Sequence, residues 1–272
     1  MNAPNVSPEL ARLMRRLKLG RLLDTLPERL ALSQTHHLSA ATFLEQLFSD
    51  EVQRRDAESA GLRAHKAHLD PAMVLERWDD TTPVTYDHAV LEELASLRFV
   101  DATQNAFLLG PVGVGKTFLA SALGHVAIRR RVSVHFERSD RLFKRLKASR
   151  LDASYDQELR KLIGVDLLIL DDFCLTPLDA TETSDLYDLV VERHRRASTI
   201  VTSNRDPSEW LAVMAAAPRP ISDRPTEERR LRTRHRGTVL SRAREAHARS
   251  GAHETTTFFG FEAANLTERS EH

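Results

Sequence analysis

Cysteine, lysine and long apolar runs are scarce in this chain of 272 residues. A single cysteine, Cys174, excludes a disulfide framework and is typical of a protein in a reducing compartment. No apolar run approaches the roughly 20 residues that a membrane-spanning helix needs, and the N-terminal residues lack a signal-peptide pattern. We therefore expect a cytoplasmic protein without a membrane partner, in which Cys174 is a buried structural thiol.

The charge balance excludes a chain that is basic throughout. The formal net charge is zero although 29% of the residues are charged, so any nucleic-acid surface is expected to be a local patch. Only six of the 39 basic residues are lysine, a bias that indicates a GC-rich coding sequence. The hydrophobic fraction of 41% suffices for an ordinary core, so we expect one large domain or one domain with a smaller companion.

Residues 1–70 predict a helical N-terminal domain that binds DNA or a partner. Leu10, Leu13, Met14 and Leu17 recur at the spacing of one helix face, and Ser39 is expected to begin a further helix. The polar side carries many cations, including the pair at 54–55, which favours either a solvated helix surface or a basic face for DNA or a protein. Residues 71–86, rich in helix breakers and acidic residues, are typical of a linker.

Residues 87–214 predict a parallel sheet flanked by helices. Apolar runs and helical patterns alternate along this part of the chain, and such alternation is typical of an α/β fold. The strands are expected at 106–109, 132–136, 167–170 and 199–202, and the helices at 88–98, 117–129, in segments up to about 163, and at 182–195.

The most informative pattern is the G-x-x-x-x-G-K-T run between the first of these strands and the following helix. Its glycines let consecutive backbone N–H groups turn inward toward phosphate oxygens, and the positive end of the helix lies at the same place. The pattern predicts that the chain binds a nucleoside triphosphate such as ATP, with Lys116 reaching the β- and γ-phosphates as a catalytic residue. The expected binding residues are Gly110, Pro111, Val112, Gly113, Val114, Gly115, Lys116, Thr117 and Phe118.

Polar residues at the ends of two later strands complete the predicted site. We expect Asp171 and the Thr117 hydroxyl to hold Mg²⁺, and Asp172 to activate the attacking water. Asn204, which follows the last strand, is expected to contact the γ-phosphate or that water. The Thr-Ser-Asn run also lies where it could cap the helix that begins near Pro207, and both roles are compatible.

A basic helical segment follows the second strand. Arg138, Arg141 and Arg145 fall on one face with Lys144 beside them, and further cations lie at 147 and 150. Such a face predicts either contact with the phosphate backbone of DNA, without reading of bases, or a solvated surface.

These motifs together resemble the IstB family of transposition ATPases, which is close to DnaC-type helicase loaders within the AAA+ class. The resemblance covers roughly residues 8–214 and rests on the phosphate loop, the two aspartates, the basic helix, and the Thr-Ser-Asn run before Trp210. It implies an AAA+ ATPase that assembles on DNA as an ATP-dependent oligomer and directs a transposase to its target. Asp172 stands where glutamate is commoner in the class, which implies slower hydrolysis.

Residues 215–272 depart from that family. The resemblance implies a helical lid with an arginine that reaches a neighbouring subunit, but the chain continues into an arginine-rich stretch with two prolines around Arg224, which makes Arg224 a poor candidate for that arginine. Codons compatible with residues 217–238, read one nucleotide forward, can encode a lid-like peptide containing Ile-Asp-Arg-Leu. We therefore hypothesise a frameshift near codons 215–217 and expect a poorly ordered tail.

Two alternative functions stay open. A DnaC-like helicase loader would share the same site and differ in what its N-terminal helices bind. A remnant that binds ATP but has lost its lid would neither assemble nor hydrolyse ATP efficiently, because self-assembly in the ATP state requires that lid.

Overall fold

The computed structural model describes residues 6–78, 84–215, 256–260 and 262–263, and divides the chain into two compact units. Unit 1 is Met1–Leu62 and unit 2 is Arg63–His272, so the division precedes the domain boundary that we expected at residue 70. The boundary falls inside one continuous helix, α3 (Ala40–Lys66), and the helical pattern of the sequence therefore gave no signal for it.

Unit 1 is helical, as the sequence predicts. It contains α1 (Pro8–Arg16), a 3₁₀ turn at Gly20–Asp24, α2 (Leu26–Thr35) and most of α3. Ser39 Oγ accepts a hydrogen bond from the Thr42 backbone N–H at 3.1 Å, which is the expected start of the third helix. A small core joins the three helices and consists of Met14, Leu22, Leu26 and Leu47.

A buried carboxylate engages the arginine pair of unit 1. Glu51 is 3% exposed and accepts hydrogen bonds from Arg54 Nε at 2.8 Å and from Arg55 Nε at 2.7 Å. The bond from Arg54, aided by Arg55, lowers the pKa of Glu51 to about 2 against the opposing effect of burial. Since both guanidinium groups are held by this carboxylate, their part in a basic face for DNA is reduced.

Unit 2 contains the expected parallel sheet. Its strands are β2 (Asn105–Leu109), β3 (Val134–Arg138), β4 (Leu167–Asp171), β5 (Ser198–Ser203) and β6 (Thr256–Gly260). Their order in the sheet is β3–β4–β5–β2–β6, and every neighbouring pair is parallel. They follow β1 (Val84–Thr85) and alternate with α4 (His88–Ala95), α5 (Arg98–Asp101), α6 (Lys116–Arg129), α7 (Ser139–Ser149), α8 (Tyr155–Ile163), α9 (Ala180–Arg193) and α10 (Pro207–Val213).

The second predicted strand is displaced by two residues, because α6 closes with a left-handed turn. Arg131 adopts φ 64°, and the Val132 N–H donates to the Ala127 carbonyl at 3.0 Å. This pair of features is the usual helix ending with a left-handed residue just after the last turn. Residues 131–132 therefore end the helix, and β3 begins only at Val134.

Two short strands are described within the tail that the sequence predicts to be poorly ordered. Residues 256–260 pair in parallel with β2, and β7 (Glu262–Ala263) pairs antiparallel with β1. Without β6, the backbone N–H and C=O groups on one side of β2 would lack these partners, and a Thr-Thr-Phe-Phe run favours a strand. The hypothesis of a lost lid and the position of Arg224 concern residues 216–255, which lie outside the described residues.

Close packing holds α6 against the sheet below the phosphate loop. A Cβ atom at Gly124 would lie 2.8 Å from Leu69 Cδ2 and 3.0 Å from Ile169 Cδ1, so only glycine permits this approach. A separate core of unit 2 includes Leu142, Phe143, Leu146, Leu170 and Trp210. In the described part of the chain, no helix has the length and apolar character needed to cross a membrane.

Candidate nucleotide-binding site

The loop between β2 and α6 has the backbone curl that its glycines predict. Gly110, Gly113 and Gly115 have φ angles of 148°, 88° and 89°, a region that residues with side chains rarely adopt. Gly115 is also the N-cap of α6, so the loop leads directly into the positive end of a helix. Val114 anchors the loop at 6% exposure, whereas Val112 at its tip is 79% exposed.

Lys116 is folded back onto this loop. Its Nζ donates to the Pro111 carbonyl at 2.6 Å, and the residue is only 7% exposed. Burial lowers the pKa of Lys116, while the negative charges of Asp172 and Asp171 act in the opposite direction. The ammonium group of Lys116 therefore donates to one neutral carbonyl. A phosphate oxygen would readily replace that carbonyl, because a hydrogen bond between two charged groups is stronger.

Asp171 and Thr117 meet at the start of α6, as the sequence predicts for a metal site. Thr117 Oγ1 donates to Asp171 Oδ1 at 2.9 Å, although the two residues lie on different elements. Asp171 is 2% exposed, and burial raises its pKa against the hydrogen bonds from Thr202 and Thr117. A hydroxyl and a carboxylate are hard oxygen donors of the kind that Mg²⁺ prefers, so this pair fits the expected ion.

Thr202 also belongs to the candidate site, although the sequence pattern does not predict it. Its Oγ1 donates to Asp171 Oδ1 at 2.6 Å and accepts from the Asp172 backbone N–H at 2.9 Å. The signal lies in the strand register, because the pairing of Leu170 with Val201 places the next residues of β4 and β5 side by side. Asn204, which is predicted to contact the γ-phosphate or the attacking water, lies two positions later.

Asp172 has a left-handed backbone and two further contacts. Its φ is 54°, and its carbonyl accepts a hydrogen bond of 2.9 Å from Ser139 Oγ, which is buried at the start of α7. The side chain is 38% exposed and lies 3.7 Å from a guanidinium nitrogen of Arg138. Asp172 is thus fixed through its backbone while its carboxylate still reaches solvent, as a water-activating group requires.

Asn204 lies at the same edge of the sheet, immediately after β5, and is exposed. Its neighbours hold the segment in place: Ser203 Oγ donates to the Phe173 carbonyl, and Arg205 Nε donates to that of Cys174, both at 2.9 Å. The cap of α10 is Asp206 in a capping box with Glu209, so the Thr-Ser-Asn run is not the cap.

Burial raises the pKa of Cys174 to about 12, consistent with a structural thiol.

Arg145 does not belong to an unpaired basic face, which corrects part of the prediction for α7. It pairs with Glu137 at 2.5 Å and with Glu158. Burial would raise the pKa of Glu137, but hydrogen bonds from His135 and Arg145 outweigh it and lower this pKa to about 2.

The other predicted DNA contacts keep part of their exposure. Arg138 is turned toward Asp140 at 3.2 Å and toward Asp172, and Lys144 lies 3.6 Å from Asp140. Arg141 and Lys144 are the exposed members of the predicted set. The residues that could reach a phosphate backbone are therefore fewer than the sequence suggested.

A cavity of about 250 Å³ lies beside Thr117, Asp171 and Asp172. Arg138 and Ser121 also line it, and Ser121 Oγ is a buried hydroxyl for which the described part of the chain supplies no hydrogen-bond partner. The cavity leaves room next to the carboxylates for a hydrated ion or a reacting water molecule.

Comparisons with known proteins show which proteins this chain is similar to. A family model described as IstB-like ATP binding protein matches residues 12–221. An insertion-sequence protein of Mycobacterium tuberculosis, named as ATP-binding, is 35% identical over 229 residues, which cover 84% of this chain and 90% of that protein. A similarly named protein of insertion sequence IS21 from Pseudomonas aeruginosa is 34% identical over 202 residues, which cover 74% and 76% of the two chains.

A solved structure shares the fold. The crystal structure of DnaI superposes with a TM-score of 0.50 and 21% identity, covering 70% of this chain and 90% of that chain. At this level of identity the likeness concerns the fold alone, a parallel sheet flanked by helices.

Proposed function

Since this chain belongs to the family of IstB-like ATP-binding proteins, we propose that it binds Mg-ATP, assembles on DNA and assists a transposase. The observation that carries the proposal is the hydrogen bond between Thr117 and Asp171, at the point where the curled glycine loop enters α6. A phosphate cradle next to a buried carboxylate is the arrangement that Mg-ATP requires.

The loop residues bind and orient the triphosphate in this proposal. Backbone N–H groups from Gly110 to Phe118 donate to the phosphates, and Lys116 exchanges the Pro111 carbonyl for a phosphate oxygen. Thr117 and Asp171 hold the ion, with Thr202 fixing the carboxylate. When bound, Mg²⁺ neutralises charge on the phosphate oxygens.

Asp172 and Asn204 have the roles closest to the chemistry. Asp172 accepts a proton from the attacking water, and its partly exposed carboxylate beside the cavity supports that role. Asn204 orients the same water from the end of β5. A guanidinium nitrogen of Arg138 lies 3.7 Å from the carboxylate of Asp172, at the border of the same cavity.

Contact with DNA is assigned to the exposed cations of α7. Arg141 and Lys144 lie on the first turns of a helix that begins directly after Arg138, at the border of the nucleotide site. This connection supports a coupling between nucleotide and DNA. The role in transposition rests on the insertion-sequence relatives.

Equilibrium binding and a pull-down test the proposal. Wild-type protein is expected to bind Mg-ATP, to bind duplex DNA more tightly with Mg-ATP present, and to retain a transposase in preference to a replicative helicase. Lack of Mg-ATP binding would overturn the proposal. Capture of the helicase instead would assign the chain to the helicase loaders. Turnover stimulated by DNA would exclude a remnant that only binds ATP.

A further inference from the structure

The indole of Trp78 lies directly on the last glycine of the phosphate loop. A Cβ atom at Gly115 would be 2.7 Å from Cη2 and 2.8 Å from Cζ3 of that ring. A side chain at this position would displace the indole as well as strain a backbone with φ of 89°. The Trp78 ring therefore lies at the edge of the candidate nucleotide site, although the sequence predicts a linker at this position.

Two further aromatic rings surround this indole. The Trp78 centroid lies 5.5 Å from that of Phe118 on α6 and 5.9 Å from that of Tyr86. Trp78 Nε1 donates to Tyr86 Oη at 2.9 Å, so the polar edge of the indole is occupied. All three side chains are half-buried, and the cluster therefore keeps aromatic surface in contact with solvent.

Two adjacent residues of α6 contact different sides of the site, the Asp171 carboxylate on one side and the aromatic cluster on the other. Thr117 bonds to Asp171, whereas Phe118, the next residue, contacts Trp78. Successive residues of a helix point about 100° apart. A triphosphate whose terminal phosphate faces Asp171 and Asp172 can therefore place its nucleoside on the side of Phe118, next to the aromatic cluster.

We propose that Trp78 is the stacking platform for the base of the nucleotide, braced by Phe118 and Tyr86, and that it selects purine nucleotides over pyrimidine nucleotides. The inference rests on the proposed binding of a triphosphate by the loop. Because the Trp78 N–H is committed to Tyr86, the platform offers ring area rather than hydrogen-bonding groups. A purine presents two fused rings to that surface and a pyrimidine only one.

The expected effect is large enough to measure by calorimetry. Loss of one base–aromatic stack lowers affinity by about 5- to 150-fold. W78A should therefore weaken binding of Mg-ATP by that factor and leave binding of magnesium tripolyphosphate, which has no base, unchanged. W78F should retain most of the affinity for ATP, and wild-type protein should bind ATP more tightly than CTP.

Fluorescence gives a second readout that does not depend on W78A folding. The chain has two tryptophans, so W210F leaves Trp78 as the single emitter. Mg-ATP should change this emission by stacking, and magnesium tripolyphosphate should change it far less.

The outcomes separate this proposal from the function on which it rests. Equal affinity of wild-type protein for ATP and tripolyphosphate, or an equal loss for both ligands in W78A, would refute the stacking role while leaving the phosphate loop intact. Equal affinity for ATP and CTP would refute the selection of purines. If wild-type protein binds neither ATP nor tripolyphosphate, the proposed function fails together with the platform.

Discussion

The hydroxyl of Thr202 donates to the carboxylate of Asp171 at 2.6 Å and accepts from the backbone N–H of Asp172 at 2.9 Å. One side chain on β5 thus orients the proposed metal ligand and fixes the start of the turn that carries the proposed base. Thr202 is itself fully buried, so water cannot replace these bonds at low cost.

T202V is expected to weaken the dependence of nucleotide binding on Mg²⁺. The valine keeps the shape of threonine but removes a hydrogen bond to a charged group, which is worth about 1.5–3 kcal/mol. Loss of that bond raises the pKa of Asp171 further, so the effect should be larger at lower pH. Titration of Mg²⁺ at fixed ATP measures it, and T202S should restore wild-type behaviour. An unchanged Mg²⁺ titration in T202V would contradict the positioning role.

K116A is expected to abolish stabilisation by Mg-ATP. A ligand at 100 times its Kd stabilises a folded protein by about 2.7 kcal/mol, which raises the Tm of a chain this long by roughly 5–10 °C. Thermal unfolding with and without Mg-ATP measures the shift, and K66A, at an exposed lysine of α3, should retain it. A Tm shift of wild-type size in K116A would show that Lys116 does not bind the nucleotide.

D172N is expected to separate binding from turnover. The substitution keeps the size of the side chain and its backbone contacts with Ser139 and Thr202, but an amide cannot accept the proton of the attacking water. Loss of a general base lowers turnover by roughly 10²–10⁴-fold. Phosphate release measures turnover, with D152N, in the exposed turn after α7, as the control. Equal rates in D172N and wild type would exclude Asp172 as the base.

The low pKa of Glu137 predicts that the free energy of unfolding decreases at acid pH. Its folded-state pKa of about 2 lies below the ordinary value of 4.5, so its contribution is complete above pH 4.5 and is lost as the pH falls from 4.5 toward 2. With allowance for screening, the contribution is about 2 kcal/mol. Urea unfolding of E137Q should show lower stability at pH 7 and a smaller loss below pH 4.5. E76Q, at an exposed carboxylate, provides the control.

R141A and K144A test the assignment of α7 to DNA. Each removed phosphate contact should weaken binding of every duplex sequence and reduce the slope of log affinity against log salt by about one. Anisotropy of labelled duplexes at several salt concentrations gives the slope. K161A, which removes an exposed lysine of α8, provides the control. A slope unchanged in both α7 variants would favour the solvated surface that the sequence also allowed.

The features that could be predicted from the sequence are local ones. The loop, the strand before Asp171 and the start of α6 follow from runs of adjacent residues, and the structure places them as expected. The role of Thr202 could not be predicted, because its contact with Asp171 depends on the register between β4 and β5, which the pattern of one strand does not reveal. Arg145 was misjudged because its partners, Glu137 and Glu158, belong to other elements. The contact of Trp78 with Gly115 joins segments that are distant along the chain.

The position of β6 makes the phosphate loop dependent on a late segment of the polypeptide. Because β6 pairs with β2, the strand that carries the loop is an interior strand, enclosed by β5 on its other side. A nascent chain therefore lacks the β6 partner of β2 until residues 256–260 have been made. The strand that leads into the phosphate loop thus gains its hydrogen-bonded neighbour on this side late in biosynthesis.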